Sequence, residues 1–397
     1  MISFESVSKV FPDGTHAVED LSIEIPTGKI TVFVGPSGCG KTTSLRMINR
    51  MIEPTGGTVL IDGKDTRSID APTLRRGIGY VIQNAGLFPH RTVLDNVATV
   101  PVLQGKRKKE ARAAAGELLT RVGLDAAMGS RYPAQLSGGQ QQRVGVARAL
   151  AADPPVMLMD EPFSAVDPVV RAQLQDEFIR LQAELGKTIV FVTHDIDEAV
   201  KLGDLIAVFA VGGRLAQFAE PSEVLTRPAD DFVADFVGRD RGYRALSFVR
   251  SDNLPLQREA TLVLGESVPD DAGTAAEGAG TGSQSGRWLL VVDTNRQPRG
   301  WLDCRRVPAG HPVEVRDLVL GGSLAGPGAS LRTALDAALS SPSGRGVAVD
   351  ENSVVIGTVT ARDVLNAIEQ SGVEDPDQPE RENPDWLRKA GTAGAAT

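Results

Sequence analysis

The chain has 397 residues, a formal net charge of −9, and 41% hydrophobic and 23% charged residues. These are ordinary values for a globular protein of two or three domains. The acidic balance argues against a protein held to nucleic acid mainly by phosphate contacts, so we expect no nucleic-acid partner. Two cysteines in this length exclude a disulfide scaffold and indicate a reducing compartment.

The first residues, Met1 to Glu5, have no basic segment followed by a long apolar run, so no secretory signal is predicted. No stretch of the chain approaches the roughly 18 consecutive apolar residues that predict a membrane-spanning helix. Any association with a membrane is therefore expected to come through a partner protein.

Two early segments, residues 2–7 and 21–25, alternate apolar and polar residues as half-buried antiparallel strands do. An apolar run, Ile30 to Val34, is followed by a glycine-rich stretch and then by a helical pattern. This strand, turn and helix order, together with the G-x-x-x-x-G-K-T match, predicts a phosphate-binding P-loop. The predicted nucleotide-binding residues here are Gly35, Pro36, Ser37, Gly38, Cys39, Gly40, Lys41, Thr42 and Thr43.

Each part of the P-loop has a chemical role. The glycines let backbone N–H groups turn inward around phosphate oxygens, and the positive end of the following helix faces the same anion. Lys41 is expected to reach the β- and γ-phosphates, and the Thr42 hydroxyl to ligate Mg²⁺. Cys39 is either simply a small side chain or a thiol acidified by the helix N-terminus and therefore reactive.

Residues 156–159 and 188–192 are continuous apolar runs, as expected inside a parallel sheet. The first ends in Asp160, predicted to hold a Mg²⁺-bound water, and Glu161, predicted to orient or deprotonate the attacking water. The second ends in His194, which places an imidazole near the same phosphate. The Ala/Arg/Lys-rich helical pattern from about 84 to 152 predicts an inserted helical subdomain.

A further motif is Leu136-Ser137-Gly138-Gly139-Gln140, followed by an apolar helical run to Leu150. Here the chain resembles the ATP-binding subunits of ABC transporters, whose signature is this pentapeptide. A serine and two glycines at a helix N-terminus make a second anion site. The resemblance implies a head-to-tail homodimer that sandwiches two ATP molecules. Each would lie between one P-loop and the partner's signature, so that Ser137, Gly138, Gly139 and Gln140 act in trans.

The same resemblance implies roles for three more residues. Gln83 matches the Q-loop glutamine that touches Mg²⁺ or water and relays to the membrane subunit. Phe11 matches the aromatic that stacks on adenine, although it also fits a half-buried strand aromatic. Asp167 matches the D-loop aspartate. An ATP hydrolase using ATP and Mg²⁺ is implied, working with an integral-membrane permease and an external substrate-binding protein or domain.

Residues 197–204 and 227–238 are similar to the glycine betaine/proline importer branch of that family. The implied cargo is an osmoprotectant such as glycine betaine, carnitine, choline or proline. The implied location is the cytoplasmic face of the membrane, held there by the permease. Two alternatives remain open at this point: an ABC ATPase for another solute such as an amino acid, and a soluble ABC protein that does not act in transport.

The expected fold class is α/β: a P-loop NTPase with a RecA-like core and antiparallel β and helical subdomains over residues 1–240, followed by a smaller α+β pair of CBS motifs. Residues 311–370 resemble one CBS motif. There Thr360 and Asp363 match positions that contact a ligand's ribose and phosphate. Residues 246–310 are a degenerate copy. The remaining expectations are a flexible insertion at 272–286 and a disordered acidic tail at 371–397.

Overall fold

The computed structural model describes residues 1–83, 85–164, 166–270, 288–322 and 324–371. The described chain divides into two compact units, the first running from Met1 to Arg239 and the second starting at Asp240. The predicted flexible insertion and the predicted tail beyond residue 371 lie outside the described residues. So do Asn84, next to the Q-loop glutamine, and Ala165 of the D-loop.

The first unit contains two sheets and ten helices among its described residues. Its strands are β1 (Ile2–Val10), β2 (His16–Ile25), β3 (Ile30–Val34), β4 (Gly56–Ile61), β5 (Lys64–Asp65), β6 (Ile78–Val81), β7 (Val156–Asp160), β8 (Thr188–Val192), β9 (Leu205–Phe209) and β10 (Leu215–Ala219). Its helices are α1 (Lys41–Ile48), α2 (Ala71–Arg76), α3 (Val93–Val97), α4 (Thr99–Leu103), α5 (Lys108–Arg121), α6 (Gly138–Leu150), α7 (Pro168–Leu185), α8 (Ile196–Leu202), α9 (Pro221–Thr226) and α10 (Asp231–Val237).

The first sheet has the order β2-β1-β4-β5 and is antiparallel, as the alternating pattern predicted. The second sheet has the order β10-β9-β3-β8-β7-β6 and is parallel except for the edge pair β10 and β9. Strands β3, β7 and β8 are neighbours, and all five residues of each are buried. Because they run parallel, their carboxyl ends meet at one edge of the sheet.

Helix α1 lies between the two sheets. Its Leu45, Met47 and Ile48 are fully buried and share one core with side chains of both sheets, including Ile2 of β1 and Phe33 of β3. This packing fixes the start of α1, and with it the P-loop, at the carboxyl edge of the parallel sheet.

The predicted helical subdomain has a separate core. Between residues 85 and 152 the described chain forms helices α3 to α6 with short 3₁₀ turns and no strand. Buried side chains of α3, α5 and α6, among them Val97, Leu119 and Val144, pack together. The α/β P-loop fold that the sequence predicted is confirmed for the first unit.

The second unit has two smaller sheets in its described part. Its elements are α11 (Arg241–Ala245), β11 (Thr261–Val263), β12 (Trp288–Val292), β13 (Pro298–Asp303), β14 (Leu318–Val319), α12 (Leu331–Ser340), β15 (Arg345–Val349), β16 (Val355–Thr360) and α13 (Ala361–Ser371). One sheet has the order β11-β12-β13-β14 and the other is the β15-β16 hairpin. Their facing side chains, which include Trp301 and Val347, form a shared core.

The two CBS-like blocks differ in structure. Residues 331–371 form a helix, two strands and a helix, in the order that the sequence predicted. The earlier copy has its two strands, β12 and β13, but residues 304–314 form turns where the later copy has α13. At the place of the capping threonine stands Asp303, whose carboxylate accepts from the Arg305 N–H at 3.2 Å. Pro308 then removes a backbone donor that a helix would need.

Among the described residues, no helix combines the length and the apolar character needed to cross a bilayer.

Candidate functional site

The P-loop joins β3 to α1 as a tight backbone cradle. A side chain at Gly40 is excluded, because its φ is +95° and a Cβ there would lie 2.0 Å from the Ala17 carbonyl oxygen. At Gly38, which also has a positive φ, a Cβ would meet nothing within 4 Å, so this part of the loop opens outward. Helix α1 has no side-chain cap on its first N–H groups. The loop therefore offers unpaired donors to an anion.

The Lys41 ammonium supplies the positive charge of this cradle. It is buried, with the residue 6% exposed, and donates to the Gly35 and Pro36 carbonyl oxygens at 2.7 and 2.8 Å. In the described part of the chain it forms no ion pair with a carboxylate. Its third partner is the Cys39 sulfur at 3.6 Å, so none of these partners is a carboxylate and the buried charge is uncompensated. The site therefore fits a polyanion such as a nucleotide triphosphate.

Hard oxygen ligands lie beside the cradle. The Thr42 hydroxyl donates to Oδ1 of Asp160 at 2.8 Å, which joins the start of α1 to the end of β7. Asp160 is 5% exposed, and its Oδ2 lies 3.4 Å from a guanidinium nitrogen of Arg46. A hydroxyl and a buried carboxylate within hydrogen-bond distance form a donor set that fits Mg²⁺.

Glu161 contacts two other predicted site residues, His194 and Gln83. Its Oε1 lies 3.2 Å from Nδ1 of His194, and its Oε2 accepts from the Gln83 amide at 3.5 Å. Glu161 follows the end of β7 and has a φ of +45°, a left-handed conformation that costs a non-glycine residue on the order of 1–2 kcal/mol. The fold thus maintains strain at the residue predicted to act on water.

The signature residues cap α6. The Ser137 hydroxyl accepts from the Gln140 N–H at 3.3 Å, and the Gln140 side chain accepts from the Ser137 N–H at 2.9 Å. Ser137 and Gly138 are exposed, and Gly139 and Gln140 are half-buried. The helix N-terminus is thus internally ordered and open to solvent, as a surface that meets a second chain must be.

Two further predicted residues lie near the surface. The ring of Phe11 is half-buried, and the Lys9 ammonium lies 5.3 Å from its centroid, so the ring already presents one π-face to a cation. Asp167 caps α7 by accepting from the Val169 N–H at 3.0 Å.

The expectation that Cys39 is an acidified thiol is wrong. The residue is fully buried, and burial raises the pKa of its thiol, outweighing the effect of the Lys41 ammonium. A sulfur with no exposed surface cannot reach a reagent. Cys39 therefore serves as a small side chain under the loop, and only its backbone remains a candidate nucleotide contact.

We accordingly expect the native protein to resist maleimide at Cys39. Labelling should be slow with or without nucleotide and should become fast in denaturant, because only the unfolded chain exposes the thiolate. Mass-spectrometric mapping of adducts at Cys39 and at the half-buried Cys304 measures this directly. Rapid native labelling of Cys39 that ATP slows would restore the reactive-thiol interpretation.

Two basic residues near the site were not singled out from the sequence. Arg46 contacts Asp160. Arg148 of α6 donates at 2.8 Å to the carbonyl oxygens of both Ala85 and Gly86, just after the Q-loop glutamine. Burial lowers the pKa of the Arg148 guanidinium. The only sequence signal for Arg148 was a charged residue within an otherwise apolar helical run.

The second candidate site lies at the start of α13. The Thr360 hydroxyl accepts from the Asp363 N–H at 3.2 Å, while Oδ2 of Asp363 accepts from the Thr360 hydroxyl and N–H at 2.7 and 3.0 Å. The Gln257 amide donates to the same oxygen at 3.3 Å. A ligand contact at this carboxylate would therefore use Oδ1 or displace Gln257.

The chain was compared with known protein families and curated proteins. Residues 18–164 match the ABC transporter family model. The osmoprotectant import ATP-binding protein OsmV of Salmonella typhimurium is 46% identical over 311 residues, which cover 77% of this chain and 80% of that protein. The choline transport ATP-binding protein OpuBA of Bacillus subtilis is 41% identical over 387 residues, which cover 94% of this chain and 97% of that protein.

Solved structures agree with this match. A dimeric ATP-binding cassette in a post-hydrolysis state, bound to ADP and Pi, is 34% identical and superposes with a TM-score of 0.51. The superposition covers 56% of this chain and 99% of that one. The covered share of this chain is close to the length of the first unit, so the cassette corresponds to that unit.

Proposed function

The chain belongs to the ABC transporter family, and on that premise we propose that it hydrolyses ATP to drive import of an osmoprotectant through a membrane permease. The observation that carries the proposal is the convergence at one edge of the parallel sheet. Lys41 and Thr42 follow β3, Asp160 and Glu161 lie at the end of β7, and His194 follows β8. Their mutual contacts assemble a phosphate cradle beside a candidate general base.

Different residues are proposed to bind the phosphates, to activate the water and to hold Mg²⁺. The loop N–H groups and Lys41 bind the phosphates. Glu161 orients a water or takes its proton, and His194 holds the Glu161 carboxylate in place from one side while Gln83 holds it from the other. Mg²⁺, when bound, would neutralise phosphate charge, with Thr42, Gln83 and Asp160 as its proposed protein-side ligands.

The working unit that we propose is a head-to-tail homodimer. The exposed start of α6 supports it, because Ser137 and the neighbouring glycines can approach a nucleotide only from a second chain. ATP binding would close the dimer and hydrolysis would reopen it. The permease would convert this motion into uptake at the cytoplasmic face of the membrane, with an external binding protein delivering the solute.

The helical subdomain offers a surface for the permease. An open cleft of about 510 Å³ is lined by side chains of residues 88–108 and by Tyr132. Phe88, Val102 and Leu103 are exposed apolar side chains there, and the segment that leads into it begins five residues after Gln83. A cytoplasmic helix of the permease is the occupant that we propose.

A charge in this cleft should uncouple the subunit from its permease. We expect Leu103→Asp, at a side chain that is 64% exposed, to keep the basal ATPase rate but to lose most co-purification with the permease. Val211→Asp, at an exposed valine in the turn between β9 and β10, is the matched control and should still co-purify. Normal complex formation by Leu103→Asp would remove the cleft from this role.

The second unit is proposed to regulate transport. Its candidate ligand, bound at Thr360 and Asp363, is an adenine nucleotide or a cyclic dinucleotide that biases the dimer towards an open or closed state. The competing signal is ionic strength, which would act by screening attraction between a charged surface and the membrane. The acidic sequence of the segment after residue 371 favours the nucleotide, because it offers little attraction to an anionic leaflet.

We expect Asp363→Ala to weaken nucleotide binding to the second unit. Calorimetry would use the full chain with Lys41→Ala, which silences the P-loop, and would titrate AMP or a cyclic dinucleotide. Glu369→Ala, at an exposed carboxylate on the same helix, is the control.

A chain cut after Arg239 should hydrolyse ATP normally but transport without regulation. Transport that still follows salt, in a protein that binds neither nucleotide at millimolar concentration, would favour the screening mechanism.

A further inference from the structure

The carboxyl group of Glu198 is buried and has no role in the mechanism above. Glu198 lies in the first turn of α8 and is 6% exposed. Its side chain makes two hydrogen bonds, and both partners are neutral. Oε2 accepts from the Thr193 hydroxyl at 2.7 Å, and Oε1 accepts from the Gln175 amide at 3.2 Å. Burial raises the pKa of this carboxyl group above its usual range.

The first partner belongs to the turn that carries His194. Thr193 is 1% exposed, and its hydroxyl, while donating to Glu198, accepts from the Asp195 N–H at 3.0 Å. The Asp195 carboxylate in turn accepts from the Glu198 N–H at 3.4 Å. The backbone on both sides of His194 is therefore held by one closed network. Among the described residues, Gln175 is the one side chain from outside the turn and α8 that takes part in it.

The imidazole of His194 is the side chain that this turn exposes to solvent. That side chain is 60% exposed, and its Nδ1 lies 3.2 Å from Oε1 of Glu161. A side chain so exposed is not positioned by its own packing. Its direction must come from the backbone that carries it, and the hydroxyl and carboxylate of Thr193 and Glu198 fix that backbone.

The second partner belongs to another functional element. Gln175 is 6% exposed and lies on α7, whose N-cap is Asp167 of the predicted D-loop. Gln175 lies eight positions after Asp167, a rise of about 12 Å along the helix. The Glu198 carboxylate thus joins the end of β8 to the helix that begins at the D-loop.

A simple structural role explains this arrangement poorly. A buried carboxylate without a basic hydrogen-bond partner is costly, and apolar packing would hold α8 against α7 at lower cost. Groups with such perturbed environments concentrate at functional sites, where the geometry they maintain offsets the cost.

We propose that Glu198 is a positioning residue for ATP hydrolysis. It holds the Thr193–Asp195 turn so that His194 reaches Glu161, and it fastens that turn to α7. A displacement of the D-loop helix is thereby transmitted to the histidine that holds the candidate general base. This inference rests on the proposed role of His194.

Steady-state kinetics of Glu198→Ala provide the first test. We expect kcat to fall about tenfold, the scale of a lost charge-assisted hydrogen bond, while the KM for ATP stays within about twofold, because the phosphate cradle is untouched. Glu198→Gln should recover most of the rate, since its amide oxygen can still accept from Thr193. Val200→Ala, on the same helix and without polar contacts, is the control for lost packing and should keep its kcat.

A double-mutant cycle separates positioning from general destabilisation. In a His194→Ala background, Glu198→Ala should cost no further activity, measured by single-turnover phosphate release. A further tenfold loss in that background would show that Glu198 does not act through His194 and would overturn the inference. Thr193→Val, which removes the hydroxyl but keeps the shape, should reproduce the effect if Glu198→Ala folds poorly.

A spectroscopic readout makes the result independent of turnover. The chain has four histidines, so ¹³C labelling at the imidazole resolves His194 by comparison with His194→Ala. Its resonance should shift in Glu198→Ala but not in Val200→Ala, and an unchanged resonance contradicts the proposal. A wild-type rate in His194→Ala would refute the proposed role of the histidine as well, whereas a wild-type rate in Glu198→Ala refutes this inference alone.

Discussion

Glu161→Gln is expected to bind ATP with wild-type affinity and to hydrolyse it at least about a hundredfold more slowly, the scale of a lost general base. The substitution keeps the side-chain shape, and the amide oxygen can still face His194, but the new group cannot take a proton from water. In the proposed cycle ATP closes the dimer and hydrolysis reopens it, so the variant should accumulate as an ATP-bound dimer. Size-exclusion chromatography with and without ATP measures this state.

The matched control is Glu184→Gln, at an exposed glutamate on α7 that pairs with Arg121. It should remain monomeric in ATP under the same conditions and turn over normally. If Glu161→Gln stays monomeric in ATP, or hydrolyses ATP at the wild-type rate, Glu161 is not the general base and the strained conformation at this residue needs another explanation.

Lys41→Ala is the second change with a large expected effect. Its buried ammonium contacts two carbonyl oxygens and the Cys39 sulfur but no carboxylate of the described chain, so a nucleotide's phosphates would supply the missing negative charge. Removing one member of such a buried pair costs about 2–5 kcal/mol, and we expect ATP affinity to fall by roughly two orders of magnitude. Folding without nucleotide should be little affected, because the ammonium gains no ion pair there.

Thermal unfolding distinguishes these two effects. At a ligand concentration of about 100 Kd, binding to the folded state alone adds about 2.7 kcal/mol of stability. At the same concentration a hundredfold weaker binder gains only about 0.4 kcal/mol, so ATP should clearly raise the Tm of the wild type and raise that of Lys41→Ala only slightly. Lys29→Ala removes a largely exposed lysine that pairs with Asp204, and this control should keep the full ATP-induced rise. A normal rise in Lys41→Ala would exclude the lysine from phosphate binding.

The sequence predicted the elements whose signals are local. A glycine-rich turn between an apolar strand and a helix predicts a P-loop from neighbouring residues alone. Because parallel strands end at the same edge of a sheet, the sequence predicts that the carboxylates at the end of β7 lie near the histidine after β8. The contact between Thr42 and Asp160 follows from that rule, although 118 positions separate the two residues.

The remaining features depend on burial and on distant parts of the chain, which no local pattern contains. Cys39 looked reactive because a helix follows it, but full burial outweighs the helix. Arg148 and Glu198 are ordinary charged residues in the sequence, and only the packing of α6 and α7 reveals their hydrogen-bond partners. In the segment after β13, Pro308 has no backbone N–H to donate where a helix would need one.

The most direct test of the central claim is solute uptake in proteoliposomes that contain this chain with its cognate permease and binding protein. With ATP inside the vesicles, we predict uptake of radiolabelled glycine betaine, carnitine, choline or proline, at a rate that follows ATP hydrolysis. Vesicles with Glu161→Gln should take up no more than a single round of solute. Uptake of an amino acid other than proline instead, or osmoprotectant uptake that persists with Glu161→Gln, would contradict the account.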